Sequence, residues 1–398
     1  MAELSFFDPE FLADPYPAFH RLRAEDPVHR HPLGFYALTR YDDVAALLRD
    51  ARFGKGGYQA LIEGRFGATP DGPRLALSML FRDPPDHTRL RALVSRAFTP
   101  RVVETLRPHV QGIVDRLLER VAGAGRMDVI EDLAYPLPVT VISELLGVPA
   151  GAADLVKTWS RDVARALDAI VLPVGQDVIE QGRRATGAMA DYFRGLVEER
   201  RRRPGPDLLS GLVEAEEAGD RLTEEELLAT CILLYVAGHE TTVNLIGNGL
   251  LALLRHPAEW RRLREDPALL PGAIEELLRY DGPVQRVGRI AASDAEVGGV
   301  GIPAGSLVVG LLGAANRDPA QFAEPDRLDV TRGEPRHLAF GTGIHYCLGA
   351  PLARLEAQVA IGTLLRRFPA PALDVERPVW RPSSTLRGLE ALPVVLGR

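Results

Sequence analysis

Apolar positions recur along most of this chain with the period of amphipathic helices. The longest such stretch starts after Thr223-Glu224-Glu225-Glu226 and meets no proline until His256-Pro257. Thr223 with Glu226 three residues on is a capping box, so a helix begins here, roughly 45 Å long at 1.5 Å per residue. Helical spacing also marks Pro15 to Glu25, Tyr41 to Leu48, the run opened by Asp86, Arg101 to Val121, Asp132 to Leu146, Ala152 to Leu167, Asp177 to Arg203, Ala273 to Tyr280 and Leu352 to Phe368. Pro84 and Pro85 stop anything before Asp86, whose carboxylate is placed to cap the helix it opens. Short strands are expected at Val28 to His31 and Phe35 to Thr39, around the turn Pro32-Leu33-Gly34, and at Pro283 to Arg289. Glu296 to Val309 reads as strand-turn-strand about Ile302-Pro303-Ala304-Gly305, and Ser383 to Gly388 as a turn between strands. Asp50 to Pro85 has no sustained period, and an irregular stretch of that length is usually functional or mobile. Ala314 to Arg332 is polar and irregular. No repeat and no linker composition divides the chain, so a single, mainly α domain over residues 1–398 is expected.

Polar residues break this pattern in a few places. The middle of the long helix reads Ala237-Gly238-His239-Glu240-Thr241-Thr242. Gly weakens a helix by about 1 kcal/mol relative to Ala, and a Thr hydroxyl can bond a carbonyl of the previous turn and bend the helix. The run is either a local kink with solvated polar groups or a groove holding an acid and an alcohol. His87 and Arg91, four apart, share a helix face; they suit a carboxylate or phosphate, or form a solvated basic face. Glu276 and Arg279, three apart, can pair. Near the C-terminus stands Phe340-Gly341-Thr342-Gly343-Ile344-His345-Tyr346-Cys347-Leu348-Gly349, followed by Leu352-Ala353-Arg354. Its glycines allow tight turns that a Cβ would block. Cys347, at the end of that loop and the start of a helix, meets backbone N–H groups and a dipole that favour a thiolate. Such a sulfur is a metal ligand, a nucleophile or a small core residue.

Composition narrows the choice. With 398 residues, 46% hydrophobic and 25% charged, the chain can bury a large core. A net charge of −7 argues against general nucleic-acid binding. The two cysteines, Cys231 and Cys347, give no disulfide framework and hold no iron–sulfur cluster by themselves. Met1 to Pro17 lacks the basic and apolar regions of a secretion signal. The most apolar stretches, such as Ser306 to Ala315, are too short to span a bilayer. A cytoplasmic protein without a membrane anchor is expected.

The cysteine run resembles the haem-binding loop of the cytochrome P450 family. Four further stretches resemble motifs of that family, in the family's order. Asp83-Pro84-Pro85-Asp86-His87-Thr88-Arg89-Leu90-Arg91 is similar to its propionate-binding helix, and Ala237 to Thr242 to its oxygen-activation motif. Glu276-Leu277-Leu278-Arg279 is similar to its E-x-x-R pair, and Arg289 to a propionate-binding arginine. The resemblance implies a large helical region plus a smaller β-rich lobe, with haem b (iron protoporphyrin IX) between two helices. Cys347 would be the axial thiolate, pushing electron density onto iron. Phe340 would pack over the sulfur, and Gly341 and Gly349 would let the loop approach the porphyrin. His87, Arg91, Arg289 and His345 would bond the propionates. Glu240 would relay protons, and Thr241 would orient oxygen and a water. Glu276 and Arg279 would hold the fold with a third partner, Arg332 or a neighbour.

Leu80, Leu234, Val236, Ala237, Val284 and Leu386 would line a pocket for a small apolar substrate. The implied reaction is monooxygenation by a monomer. A separate ferredoxin and ferredoxin reductase would supply electrons, docking near Arg89, Arg96, Arg101 and Arg354. Two rivals are a peroxide-driven peroxygenase of the same family, which has less need of Glu240 and Thr241, and a non-catalytic haem sensor, which should carry an output module.

Overall fold

The structure, a computed structural model, describes residues 6–67, 74–217, 222–333 and 335–397. The chain divides into two compact units: Met1–Phe53 with Val103–Leu137 and Thr241–Arg398, and Gly54–Val102 with Pro138–Glu240. The long helix runs unbroken from Glu224 to Arg255.

The first unit holds the strands that matter here. Val28–Arg30 pairs antiparallel with Tyr36–Leu38, which lies parallel beside Leu307–Leu311. Leu307–Leu311 pairs antiparallel with Arg286–Ala291, setting Arg289 opposite Val308. The sheet's apolar face closes over the helix Tyr41–Arg49 through Leu38, Val44, Leu47, Leu48 and Val308. A second sheet joins Arg126–Asp128, Pro393–Val395 and Ala372–Leu373. The helix Ala350–Arg367 is buried along most of its length. It meets Arg107–Ala122, where Gln111 Nε2 donates to Thr363 Oγ1 at 3.0 Å and Arg367 pairs with Asp115 at 2.7 Å.

The second unit is built of helices, among them Asp86–Ser95, Ala153–Ala166, Gln176–Arg202, Leu208–Glu217 and the first half of the long helix. The long helix starts as its capping box requires. Thr223 N donates to Glu226 Oε2 at 2.9 Å, and Glu226 N donates to Thr223 Oγ1 at 3.3 Å.

Several boundaries differ from the sequence expectation, each for a local reason. Asp50 to Pro85 is not wholly irregular: Tyr58–Phe66 is a helix steadied by Gln59 Nε2 on Glu63 Oε1 at 2.9 Å. Gly57, Gly64 and Gly67 dilute its pattern, and residues 68–73 of this stretch lie outside the described set. Arg101 to Val121 splits into Pro100–Glu104 and Arg107–Ala122, because Pro108 suits only a first turn. Asp132 to Leu146 opens as a wide π turn at Ile130–Ala134 before the helix Pro136–Leu145. Asp86 does not cap its helix; Pro85 holds that position, and Asp86 pairs with Arg89 at 3.1 Å. Ala295–Val297 and Val300–Ile302 form a hairpin about Gly298-Gly299, a turn additional to the one at Gly305.

Candidate active site

The cysteine loop lies in the first unit and is held mainly through its backbone. Leu338 N donates to Asn316 Oδ1 at 2.7 Å, Gly341 N to Leu338 O at 2.8 Å, and Cys347 N to Phe340 O at 2.9 Å. Gly341 and Gly343 are left-handed, at φ +68° and +73°. A Cβ on Gly343 would stand 2.5 Å from the Leu48 carbonyl oxygen, so glycine is required there on both counts. Gly349 has an ordinary φ of −80° and serves as the N-cap of Ala350–Arg367. Cys347 therefore precedes the helix rather than lying within it, close enough for the dipole to favour a thiolate. The two thiols differ in setting. Cys231 is fully buried and burial pushes its thiol up to about 12, whereas Cys347 is partly exposed.

Two charged clusters brace this loop. Glu276 and Arg279, both completely buried, pair through Nε to Oε2 at 2.7 Å and Nη2 to Oε1 at 2.8 Å. Arg332 is the third partner, with Nε 3.1 Å from Glu276 Oε2. Arg279 Nη1 also donates to the carbonyls of Asn316 at 3.0 Å and Pro325 at 2.8 Å, and Arg332 Nη1 donates to that of Ala323 at 2.7 Å. A segment of little regular structure is thus pinned by side chains. One residue back, Glu275 accepts from Arg354 Nε and Nη2, each at 2.7 Å, and meets His337 Nε2 at 3.1 Å. Arg354 lies over the Phe340 ring, 4.6 Å from its centre, and donates to the Tyr346 hydroxyl at 3.2 Å. Burial draws the Glu275 carboxyl upward, but the bonds from Arg354 and His337 outweigh it and hold the group at about 2.

The middle of the long helix is buried on all sides except one. Ala237 is exposed, and Gly238 and Thr241 are partly exposed; positions 237 and 241 share a face. Glu240 and His239 are buried. A Cβ on Gly238 would stand 2.9 Å from Ile142 Cδ1, so glycine permits this close approach of two helices. His239 meets the Tyr235 carbonyl oxygen, Ser160 and Glu240 at 2.6, 3.2 and 3.5 Å.

The remaining candidates fall as follows. His87 is buried and Arg91 partly exposed on one face of Asp86–Ser95. Arg289 is buried on its strand, with Nη1 on the Gly288 carbonyl at 2.9 Å, and His345 ends a short 3₁₀ turn. Val284 and Leu386 come side by side as a bridge between strands. Leu234 shares the face of Ala237, while Val236, two residues from Leu234, points elsewhere; Leu80 is exposed. Of the arginines expected to dock a partner, Arg89 is bound to Glu226 at 2.6 Å and Arg354 to Glu275 at 2.7 Å, while Arg96 and Arg101 are exposed. Sequence reasoning missed Ser160, His337, Glu275 and Glu356. The adjacent acids Glu275-Glu276 in an apolar helix were the readable signal for one of them. Glu356 is fully buried, its oxygens meet no hydrogen-bond partner among the described residues, and burial holds its carboxyl well above the usual range.

Comparison with known proteins identifies the family. The family model for cytochrome P450 matches residues 37–382. Cytochrome P450 107B1 of Saccharopolyspora erythraea is 48% identical over 98% of this chain and 97% of that protein. Cytochrome P450 monooxygenase PikC of Streptomyces venezuelae is 47% identical over 98% and 93%. Among solved structures, P450BioI in complex with an acyl carrier protein carrying hexadec-9Z-enoic acid superposes with a TM-score of 0.92 at 42% identity, covering 98% of this chain and 100% of that one. No helix among the described residues is long and apolar enough to cross a membrane. The chain belongs to the cytochrome P450 family and is an oxidoreductase of its monooxygenase class, with haem iron as cofactor.

Proposed function

We propose that this enzyme binds haem b through the Cys347 thiolate and inserts one oxygen atom of dioxygen into a small apolar substrate. The donor set fits the group: a soft, partly exposed sulfur on a glycine-turned loop suits iron, and cationic or imidazole donors suit propionates. His87, Arg91, Arg289 and His345 take the propionates, and Phe340, Gly341 and Gly349 shape the loop under the ring. When bound, the haem supplies the oxygen-activating chemistry. Glu240 carries protons inward, and the Thr241 hydroxyl orients the water that delivers them. Leu80, Leu234, Ala237, Val284 and Leu386 supply apolar contact to the substrate, and Val236, on another face of the helix, does not. Electrons come from a separate ferredoxin with its reductase, for which Arg96 and Arg101 offer exposed positive charge. The protein acts as a monomeric single domain in the cytoplasm.

The observation that carries this reading is the accessible face at Ala237, Gly238 and Thr241, with Glu240 next to it, on an otherwise buried helix. A peroxide-driven enzyme has less need of that acid and alcohol. Thr241→Ala should leave substrate-induced spectral shifts nearly intact while diverting reducing equivalents from NADH to peroxide or water. Unchanged product per NADH, or parent-level turnover with peroxide alone, would overturn the reading. Solved relatives hold hexadec-9Z-enoic acid on an acyl carrier protein and, in a myxobacterial enzyme, myristic acid. Fatty acids therefore lead a spectral titration panel with terpenoids, macrolides and aromatics.

A further inference from the structure

His239 takes no part in the chemistry assigned so far, yet its ring is completely buried and reaches the Glu240 carboxyl, itself only 4% exposed. Nδ1 lies 2.6 Å from the Tyr235 carbonyl oxygen. A carbonyl only accepts, so Nδ1 carries a hydrogen whether the ring is neutral or charged. Nε2 faces Ser160 Oγ at 3.2 Å and Glu240 Oε1 at 3.5 Å. In the neutral ring Nε2 is a lone pair. It can accept the Ser160 hydroxyl hydrogen, but toward an ionised Glu240 it sets one acceptor against another. That is unfavourable where the dielectric is low. A single proton between Nε2 and Oε1 relieves it, whichever atom holds it.

The pairing is not a by-product of helix geometry, because consecutive helix positions do not face each other. The ring is also held in place. Tyr235 packs edge-on against it at 5.3 Å between ring centres, and the Tyr235 hydroxyl meets Ser143 Oγ at 3.2 Å. The polar groups around the imidazole include Tyr235, Ser160 and Glu240, and of these Glu240 supplies the negative charge.

We propose that His239 and Glu240 form a proton-sharing pair, with His239 as the positioning residue that keeps one proton at the disposal of Glu240. The inference rests on the reading of Glu240 as the proton relay. In the transfer, the proton leaves Nε2 of the imidazolium for a carboxylate oxygen of Glu240. A neutral carboxyl and a neutral imidazole result, with Nδ1–H still on the Tyr235 carbonyl. A proton from solvent resets the pair. One N–H bond breaks, one O–H bond forms, and no electrons are transferred between groups.

The direct test is infrared spectroscopy of the resting holoenzyme across pH, with ring-labelled histidine and carboxyl-labelled glutamate. The bands are assigned by their loss in His239→Gln and Glu240→Gln. In the parent both bands should change together over one pH interval. In His239→Gln the Glu240 band should move to a different interval. Ser160→Ala keeps both partners and should keep the joint change, which guards against a misfolded His239 variant. Unrelated intervals in the parent and in Ser160→Ala, or a Glu240 band unmoved in His239→Gln, would overturn the pair. Turnover separates the pair from the reading beneath it. His239→Gln should lower product per NADH ~10-fold, less than the ~10²–10⁴-fold of a direct general acid, at unchanged substrate affinity. If Glu240→Gln uncouples and His239→Gln does not, the pair alone fails. If neither does, Glu240 is not the relay.

Discussion

The brace of the cysteine loop and the middle of the long helix are each built on a buried glutamate, and they differ in the partner. Glu276 is paired with Arg279 at 2.7 Å and Arg332 at 3.1 Å; Glu240 faces His239 at 3.5 Å. A guanidinium stays charged at any pH a protein survives. Its carboxylate is a fastener between charges that do not change. An imidazole takes up and releases a proton in ordinary conditions, so a carboxylate beside it can change state. Both sites bury an acid, and under the proposed reading the chemistry of its neighbour decides whether it braces the fold or moves a proton.

Removing the fixed partner should therefore cost most. Glu276→Ala leaves two guanidiniums without their counter-charge, one of them fully buried. It should lower stability by ~3–5 kcal/mol, read as the urea midpoint, and reduce haem retention. A loss under ~1 kcal/mol would mean that the backbone bonds alone hold the Asn316–Arg332 segment. Arg354→Ala should cost less, ~1.5–3 kcal/mol for its bonds to a charged group, and it carries a pH signature. The Glu275 carboxyl is held at about 2, below its ordinary 4.5. Its contribution is thus present above 4.5 and lost as pH falls from there toward 2. Arg354→Ala should flatten that part of the stability profile; an unchanged acid limb would remove Glu275 from the brace.

Glu356 sharpens the comparison with the opposite sign, because burial raises its carboxyl well above 4.5. Ionisation is available to the unfolded chain and withheld in the folded one, so stability falls as pH rises above 4.5. Glu356→Gln should remove that slope and raise stability at pH 8 relative to the parent. A profile parallel to the parent's would show the acid to be solvated or paired. The smallest effect belongs to Arg89, whose bonds to Glu226 at 2.6 Å and Asp86 at 3.1 Å resemble the brace but lie half in water. Arg89→Ala should cost under ~1 kcal/mol, and less in high salt.

Much of this was legible in the chain because it is local. Thr223 with Glu226, Glu276 with Arg279, and Gly341 and Gly343 with Cys347 are set by spacing, and each appears where spacing puts it. Proline and glycine moved boundaries where period alone was read, as at Pro108 and Gly298-Gly299. What could not be read is partnership across the chain. That Arg332 or a neighbour joins Glu276, 56 positions away, came only from the family resemblance and not from the residues around it, and nothing near Ser160 says that it reaches His239, 79 positions away. Arg354 reads in sequence as a surface charge for docking, and its contacts with Glu275 and Phe340 join it to the support of the loop. His239 was silent because it fills the variable position of the motif that Ala237 to Thr242 resembles.

The account stands on Cys347 as the thiolate ligand of haem iron, and the spectrum of the reduced carbon monoxide complex tests this most directly. The parent and Cys231→Ala should both show the red-shifted Soret band of thiolate ligation, since the Cys231 thiol is buried and held protonated by its surroundings. Cys347→Ser should lose the band while still taking up haem. A red-shifted band retained in Cys347→Ser would contradict the account.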